Sequence, residues 1–445
     1  MMHIYFVSLG CDKNLVDSEK MLALLAGGGY ELTDEAEKAE IIVVNTCAFI
    51  HDAKQESIET LLELAELKKT GNCQVLIAAG CLAERYQDEI QKEMPEIDGI
   101  IGTSAYDAVL EVVEQTLHGK HSIKTRELTY LPSRLTERIS SGIRHVGYLK
   151  ISEGCDKNCS YCIIPSMRGS YRSIPMEELI EETVKLTARG VKELILVAQE
   201  TTLYGKDIYG EKRLPELIRR LSDIEALQWI RILYCYPEEI TEELADVMRE
   251  SKKVCRYLDL PIQHCNDEIL KKMGRLTNKK QLLEKIQMLR EKMPDIALRT
   301  TLISGFPGET EAQHEECLAF VREMKFDRLG VFPYSPEEGT RAAGFDGQVE
   351  DEKKRAWADE IMEAEQQVIF DKNETMTGSY VRAIVDGYLP DEDVYVARTY
   401  RDAPDIDGCI FFHASYEIVS GSLVTLMVTD ARGYDLIGEL CNEED

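Results

Sequence analysis

Between residues 148 and 332 the chain carries six short apolar runs of strand length, each of the first five followed by an amphipathic stretch of helix length. The runs fall at 148–151, 194–198, 229–234, 257–260, 297–303 and 328–332. Stretches with helical periodicity separate them at 176–189, 214–222, 238–250, 279–292 and 311–324. Strands that alternate with helices pair in parallel, because each crossover returns the chain to the same end of the sheet. Six such units predict a curved, partly open βα barrel. Its functional residues are expected at the C-terminal strand ends, as in full barrels.

The loop after the first run carries Cys155, Cys159 and Cys162, spaced x3 then x2. Three thiolates on one short loop can hold three irons of a four-iron cluster and leave the fourth iron open. A closed zinc site needs a fourth Cys or His, usually from a second hairpin. None follows in 163–169, and the nearest upstream histidine, His145, precedes the strand. Thirteen cysteines in 445 residues are sparse for a disulfide scaffold, and no secretory signal precedes them. Inert core thiols fit poorly beside Asp156, Lys157, Asn158 and Ser160, which are too polar for a core.

Residues 1–120 read as a small α/β domain with a parallel sheet, from runs at 4–9, 41–44 and 75–79 and helical stretches at 15–25 and 53–69. Cys11, Cys47 and Cys81 each follow one of those runs. Parallel strands of one sheet end on a common rim, so the three thiols are expected to meet there as a second open cluster site. The other seven cysteines show no such pattern and read as buried or incidental thiols. Residues 121–144 are polar and irregular and are expected to be a linker. The barrel unit is taken as 145–372, ending in the charged helical stretch 351–372. Short β segments at 380–385, 394–399, 410–412 and 423–428 make 373–441 a small all-β barrel.

Polar residues at the predicted barrel rim are further candidates. Glu200, after Gln199 at the end of the second run, could hold the ammonium of an amino-acid cofactor. The turn at Gly305 could bring backbone close to a flat ring. Gln263, His264 and Arg299 also sit at rim positions.

Charge bears on partners. The chain has 52 Lys and Arg against 81 Asp and Glu, a net of −29. That opposes a grip on nucleic acid through phosphates. No apolar run approaches a membrane span, and the first residues read as a strand rather than a signal, which predicts a cytosolic, reducing compartment.

With these residues in view, the chain resembles the radical S-adenosylmethionine superfamily, through Cys155, Cys159 and Cys162 on a βα barrel. Cys11, Cys47, Cys81 and the C-terminal β module narrow the resemblance to its methylthiotransferases. It implies an N-terminal methylthiotransferase domain, a radical core and a C-terminal TRAM domain that docks substrate. It also implies two 4Fe-4S clusters and S-adenosylmethionine as both methyl donor and radical source. Cys155, Cys159 and Cys162 would carry the radical cluster, and Cys11, Cys47 and Cys81 the sulfur-donating one. Gln199, Glu200, Gln263, Arg299 and Gly305 would contact S-adenosylmethionine. The stretches 8–19, 163–169, 257–264 and 398–408 look like the branch that modifies an aspartate of small-subunit ribosomal protein S-twelve, with a flavodoxin or ferredoxin as electron donor. Two departures stand out. The third run reads Arg231, Ile232, Leu233, Tyr234 where members often carry a histidine, and Ala198–Gln199 replaces the glycine pair common before Glu200.

The module's charge favours the same branch independently. Across 371–445 five Lys/Arg face sixteen Asp/Glu, which suits a basic protein substrate rather than tRNA. The alternatives are a tRNA adenosine methylthiotransferase and a non-catalytic iron–sulfur sensor.

Overall fold

The computed structural model describes residues 1–132 and 137–441. Its N-terminal domain is a six-stranded parallel sheet in the order Glu31–Leu32, His3–Ser8, Ile41–Thr46, Val75–Gly80, Gly99–Ile101, Ser122–Lys124. The strands Ile41–Thr46 and Val75–Gly80 are buried along their whole length. Burial on both faces is why their sequence is a continuous apolar run rather than an alternation. The three strands not foreseen have two or three residues each, too few for a periodicity to show.

One of them, Ser122–Lys124, corrects the expectation of a linker at 121–144: it pairs with Gly99–Ile101 as the sheet's last strand. Farther along, Arg138 is buried and binds Glu19 of the N-terminal domain and Glu182 of the barrel unit, the latter at 2.9 Å. The stretch is polar because it clasps two domains through charges, not because it hangs in solvent. Residues 133–136, part of the expected linker, lie outside the described residues.

The barrel unit forms one open sheet of six parallel strands: Val146–Lys150, Glu193–Val197, Trp229–Ile232, Val254–Asp259, Ala297–Ser304 and Arg328–Pro333, in sequence order. Helices Met176–Ala188, Leu214–Ser222, Glu242–Glu250, Lys279–Lys292 and Glu311–Met324 pack Leu179, Leu217, Leu244, Ile286 and Val321 against strand residues such as Leu196 and Leu298. The helix expected at 238–250 starts at Glu242, because Thr241 caps it by accepting from the Leu244 amide. The long helix Asp351–Glu374 covers the edge strand Arg328–Pro333.

The C-terminal module is a closed barrel of Tyr380–Leu389, Val394–Thr399, Ile410–His413, Asp435–Leu440 and Leu423–Arg432. It docks on the face of the open sheet opposite the helices, where its Ile384 and Ala403 pack with Val146, Ile195, Trp229, Tyr257 and Ala297. Buried charges fix that contact. Glu193 binds Arg231 and Arg398, each at 2.8 Å, and Arg398 reaches Asp386 at 2.7 Å. Ions so deeply buried persist only when each has a partner. Among the described residues no helix is long and apolar enough to cross a membrane.

Candidate active site

The N-terminal strands end level with one another: Ser8 pairs with Asn45, Asn45 with Ala79, and Thr46 with Gly80. Cys47 and Cys81 are therefore the first residues past adjacent strand ends, and Cys11 follows Ser8 by a short turn. Gly10 makes that turn possible at φ +87°, and a Cβ there would lie 2.9 Å from Cys47 Sγ. Asn14 pins the loops, its side-chain amide donating to the carbonyls of Leu9 (3.0 Å) and Thr46 (2.9 Å). Cys11 precedes the helix Asp12–Gly27 and Cys81 opens the helix Cys81–Arg85. Both sulfurs thus sit at helix starts, which favour negative charge. Burial, then the neighbouring Cys81 and Cys11, pushes the Cys47 thiol up to about 12. Burial also raises Cys81, while the Arg168 guanidinium pulls it back.

In the barrel loop, Gly154 at φ +79° turns the chain so that the Cys155 amide donates to Gly169 O at 3.1 Å. Ser160 ties the middle of the loop to the carbonyls of Met273 and Lys272, both at 2.8 Å. Cys155 and Cys162 are each pushed up to about 12, by burial first; Cys159 raises both further.

In neither triad do all three sulfurs lie within 4.8 Å of one another. A single ion would draw its ligands closer than that. Neighbouring thiols too spread for three to share one ion suit a larger cubane, whose corners spread the ligands. The only described residues in single-ion range are His264, Cys265 and Cys317, with the two sulfurs 3.6 Å apart. There His264 Nδ1 accepts from the Asn266 amide at 2.9 Å. Nε2 therefore carries the proton and points at Glu309, 3.3 Å away. Both ring nitrogens are engaged, so this group is a hydrogen-bonded core cluster rather than a metal centre.

The two triads are physically joined. Tyr234 and Tyr236 follow the third barrel strand. The Tyr234 hydroxyl donates to Asp12 Oδ1 at 3.1 Å, and the Tyr236 hydroxyl lies 3.7 Å from Cys159 Sγ. On the other side Arg168, just past the Cys162 loop, donates to Cys81 Sγ at 3.5 Å and to Asp17 at 2.9 Å. Lys150 completes this network between Asp17 and Glu153. Burial would raise the Glu153 carboxyl, but Lys150 and Arg168 outweigh it and hold it at about 2. A cavity of about 260 Å³ opens beside Cys11, lined by Gly10, Asp12, Tyr148 and, from the C-terminal module, Pro404, Asp405 and Ile406. All three domains meet there.

The remaining candidates separate. Glu200 lies fully buried near the Cys155 loop, with Oε1 accepting from the Thr202 amide at 2.9 Å and Oε2 without a hydrogen bond, 3.9 Å from the Lys157 ammonium. Burial pushes its carboxyl up to about 7, against the pull of Thr202 and Lys157. Gln199 donates to Glu153 at 2.8 Å and leaves its own Oε1 buried and unpartnered. Gln263 holds φ +71° and exchanges backbone hydrogen bonds with Thr301 and Ile303.

Two candidates have neighbours that the sequence does not show. Arg299 is not a free rim residue: it pairs with Asp259 at 3.1 Å and with Asp407 of the inserted C-terminal loop at 3.6 Å. The close approach at Gly305 is to the helix Asp351–Glu374, since a Cβ there would meet Lys354 Cγ at 2.3 Å. Sequence reasoning missed Lys13, Asp17, Glu153, Arg168 and Tyr236. Lys13 and Asp17 lie on the helix Asp12–Gly27, whose buried face also carries Asn14, Glu19 and Lys20, while Glu153, Arg168 and Tyr236 carried no local signal.

Comparison with known proteins follows the same division. Residues 3–102 match the uncharacterized protein family UPF0004, 149–321 the radical SAM superfamily, and 377–441 the TRAM domain. A ribosomal protein uS12 methylthiotransferase RimO of Lachnoclostridium phytofermentans is 53% identical, over 98% of this chain and 99% of that protein. The protein of the same name from Acetivibrio thermocellus is 47% identical over 98% of each. In fold, the radical S-adenosylmethionine methyltransferase TsrM of Kitasatospora setae, solved with cobalamin and a [4Fe-4S] cluster, aligns with a TM-score of 0.56 at 15% identity. The alignment covers 77% of this chain and 74% of that one. On the strength of the near-full-length relatives, the chain belongs to the RimO family of methylthiotransferases.

Proposed function

We propose that this protein adds a methylthio group to the β-carbon of an aspartate in small-subunit ribosomal protein S-twelve, in the cytoplasm, drawing electrons from a flavodoxin or ferredoxin. Cys155, Cys159 and Cys162 would hold one four-iron cluster, and Cys11, Cys47 and Cys81 the other. Bound there with S-adenosylmethionine, the clusters supply a 5′-deoxyadenosyl radical to remove the β-hydrogen and a methylated sulfur to replace it.

The observation that carries this reading is the segment from Tyr234 to Tyr236, which touches the N-terminal loop at Asp12 and the barrel loop at Cys159. One strand end in contact with both loops would then set the spacing between radical source and sulfur donor. Preset spacing of this kind is what a two-centre reaction needs from its protein. Glu200 and Gln199 offer oxygens without hydrogen bonds to the amino-acid end of S-adenosylmethionine. The loop 404–406 walls the cavity at Cys11. The acidic C-terminal module draws a basic ribosomal protein by complementary field.

The test is mass spectrometry of ribosomal protein S-twelve and of tRNA from a strain lacking the gene. Loss of the methylthio mass from the protein, with tRNA unchanged, is the expected result. A change confined to tRNA would overturn the reading.

A further inference from the structure

Lys13 is the one feature of the site that the cysteine chemistry leaves without a task. It follows Cys11 by two positions, is buried, and holds its ammonium 3.4 Å from the centre of the Tyr234 ring. Among the described residues, no carboxylate lies within ion-pair distance of that ammonium. Every other fully enclosed cation of this region has one: Lys150 binds Asp17 and Glu153, Arg168 binds the same two, and Lys20 binds Glu182 at 3.0 Å. A buried lysine held by a ring face and a phenol keeps donors in reserve, and an aromatic face repays only part of an ammonium's lost hydration. Next to it, Asp12 directs Oδ1 to the Tyr234 hydroxyl and leaves Oδ2 buried without a partner. Asp12 lines the cavity at Cys11, and Lys13, next to it in sequence, stacks its ammonium on Tyr234, whose segment links the two triads.

We propose that Lys13 binds the side-chain carboxylate of the substrate aspartate, while Asp12 Oδ2 accepts from a backbone N–H of the same peptide. This rests on the reading that the substrate is a protein aspartate. An aspartate anchored by its carboxylate has its β-carbon one bond away from the anchor. The reacting carbon is then presented between the Cys11 and Cys159 sides of the site with little freedom to rotate. Selection of aspartate over asparagine follows, since the amide cannot discharge the ammonium.

The test measures binding of a fluorescent peptide spanning the modified loop of ribosomal protein S-twelve to reconstituted holoenzyme, by anisotropy under anaerobic conditions. The peptide is made with the aspartate and with asparagine in its place, and each is tested on wild type, Lys13→Met and Lys13→Arg. Wild type should prefer the aspartate peptide about a hundredfold, as for removal of one partner of a desolvated charge pair. Lys13→Met should bind both peptides equally weakly, and Lys13→Arg should recover part of the preference. Iron per chain should stay at the wild-type value in both variants. If Lys13→Met weakens the two peptides by the same factor, or sheds iron, then Lys13 serves the protein or the cluster and the proposal falls. If wild type neither binds nor modifies the aspartate peptide, the underlying reading falls instead.

Discussion

Arg168 Nη2 lies 3.5 Å from Cys81 Sγ, although the arginine closes the short helix after the barrel's cysteine loop and the cysteine belongs to the N-terminal domain. The same guanidinium binds Asp17 at 2.9 Å and Glu153 at 3.2 Å. One side chain thus couples the position of one triad to the loop that carries the other. Arg168→Met would leave Asp17 and Glu153 sharing Lys150 alone. Breaking such a buried network costs about 3–5 kcal/mol. Thermal unfolding should shift to lower temperature, and iron after reconstitution should fall from about eight per chain toward about four. A variant that keeps both its stability and its iron would show that the contact is incidental.

The two triads should fail differently. Cys159→Ala removes a ligand for the radical source, so both 5′-deoxyadenosine formation and methylthio transfer should stop. Cys47→Ala touches only the N-terminal site, so transfer should stop while some 5′-deoxyadenosine still forms. Product analysis by liquid chromatography and mass spectrometry reads both. Normal transfer by Cys47→Ala would remove the case for a second cluster.

Much of this division was legible because its signals are local in sequence. Cys155, Cys159 and Cys162 announce themselves by spacing, and Cys11, Cys47 and Cys81 by their common place after buried parallel runs. What stayed hidden depends on contacts between distant segments. Nothing near Arg168 in sequence says that it reaches Cys81, and a two-residue strand such as Glu31–Leu32 has no period to detect. The charged residues on the helix Asp12–Gly27 look like a solvated face until the barrel is packed against them. The ion pair of Arg299 was hidden for the same reason: its partner Asp407 arrives on the loop 400–408 from another domain.

That inserted loop makes its own prediction. Arg328 binds Asp402 and stands 3.9 Å from Asp407, while the Tyr257 hydroxyl donates to Asp407 at 2.8 Å. Burial raises the Asp407 carboxyl against the pull of Arg328 and Arg299. Arg328→Met should therefore leave two carboxylates under-compensated at the base of the C-terminal module. A loss of about 3–5 kcal/mol is expected, seen as earlier release of that module under limited proteolysis. Arg328→Lys should lie between the two, since it keeps the charge without the guanidinium's planar fork.

Glu365 gives stability a pH dependence. It is buried on the helix Asp351–Glu374, and neither carboxyl oxygen has a hydrogen-bond partner. Burial pushes its carboxyl up to about 8 from an ordinary 4.5, with Lys372 offsetting only part. Between those values the folded protein holds a proton that the unfolded chain has released. Stability therefore falls as pH rises across that window, by roughly 1.4 kcal/mol per pH unit from this group, and levels off above it. Glu365→Gln copies the protonated side chain and cannot ionise. Its melting midpoint should match wild type near pH 4.5 and exceed it at pH 8, as read by calorimetry at both values. Equal midpoints at pH 8 would mean that the ionised carboxylate finds compensation, and the burial argument for Glu365 would fail.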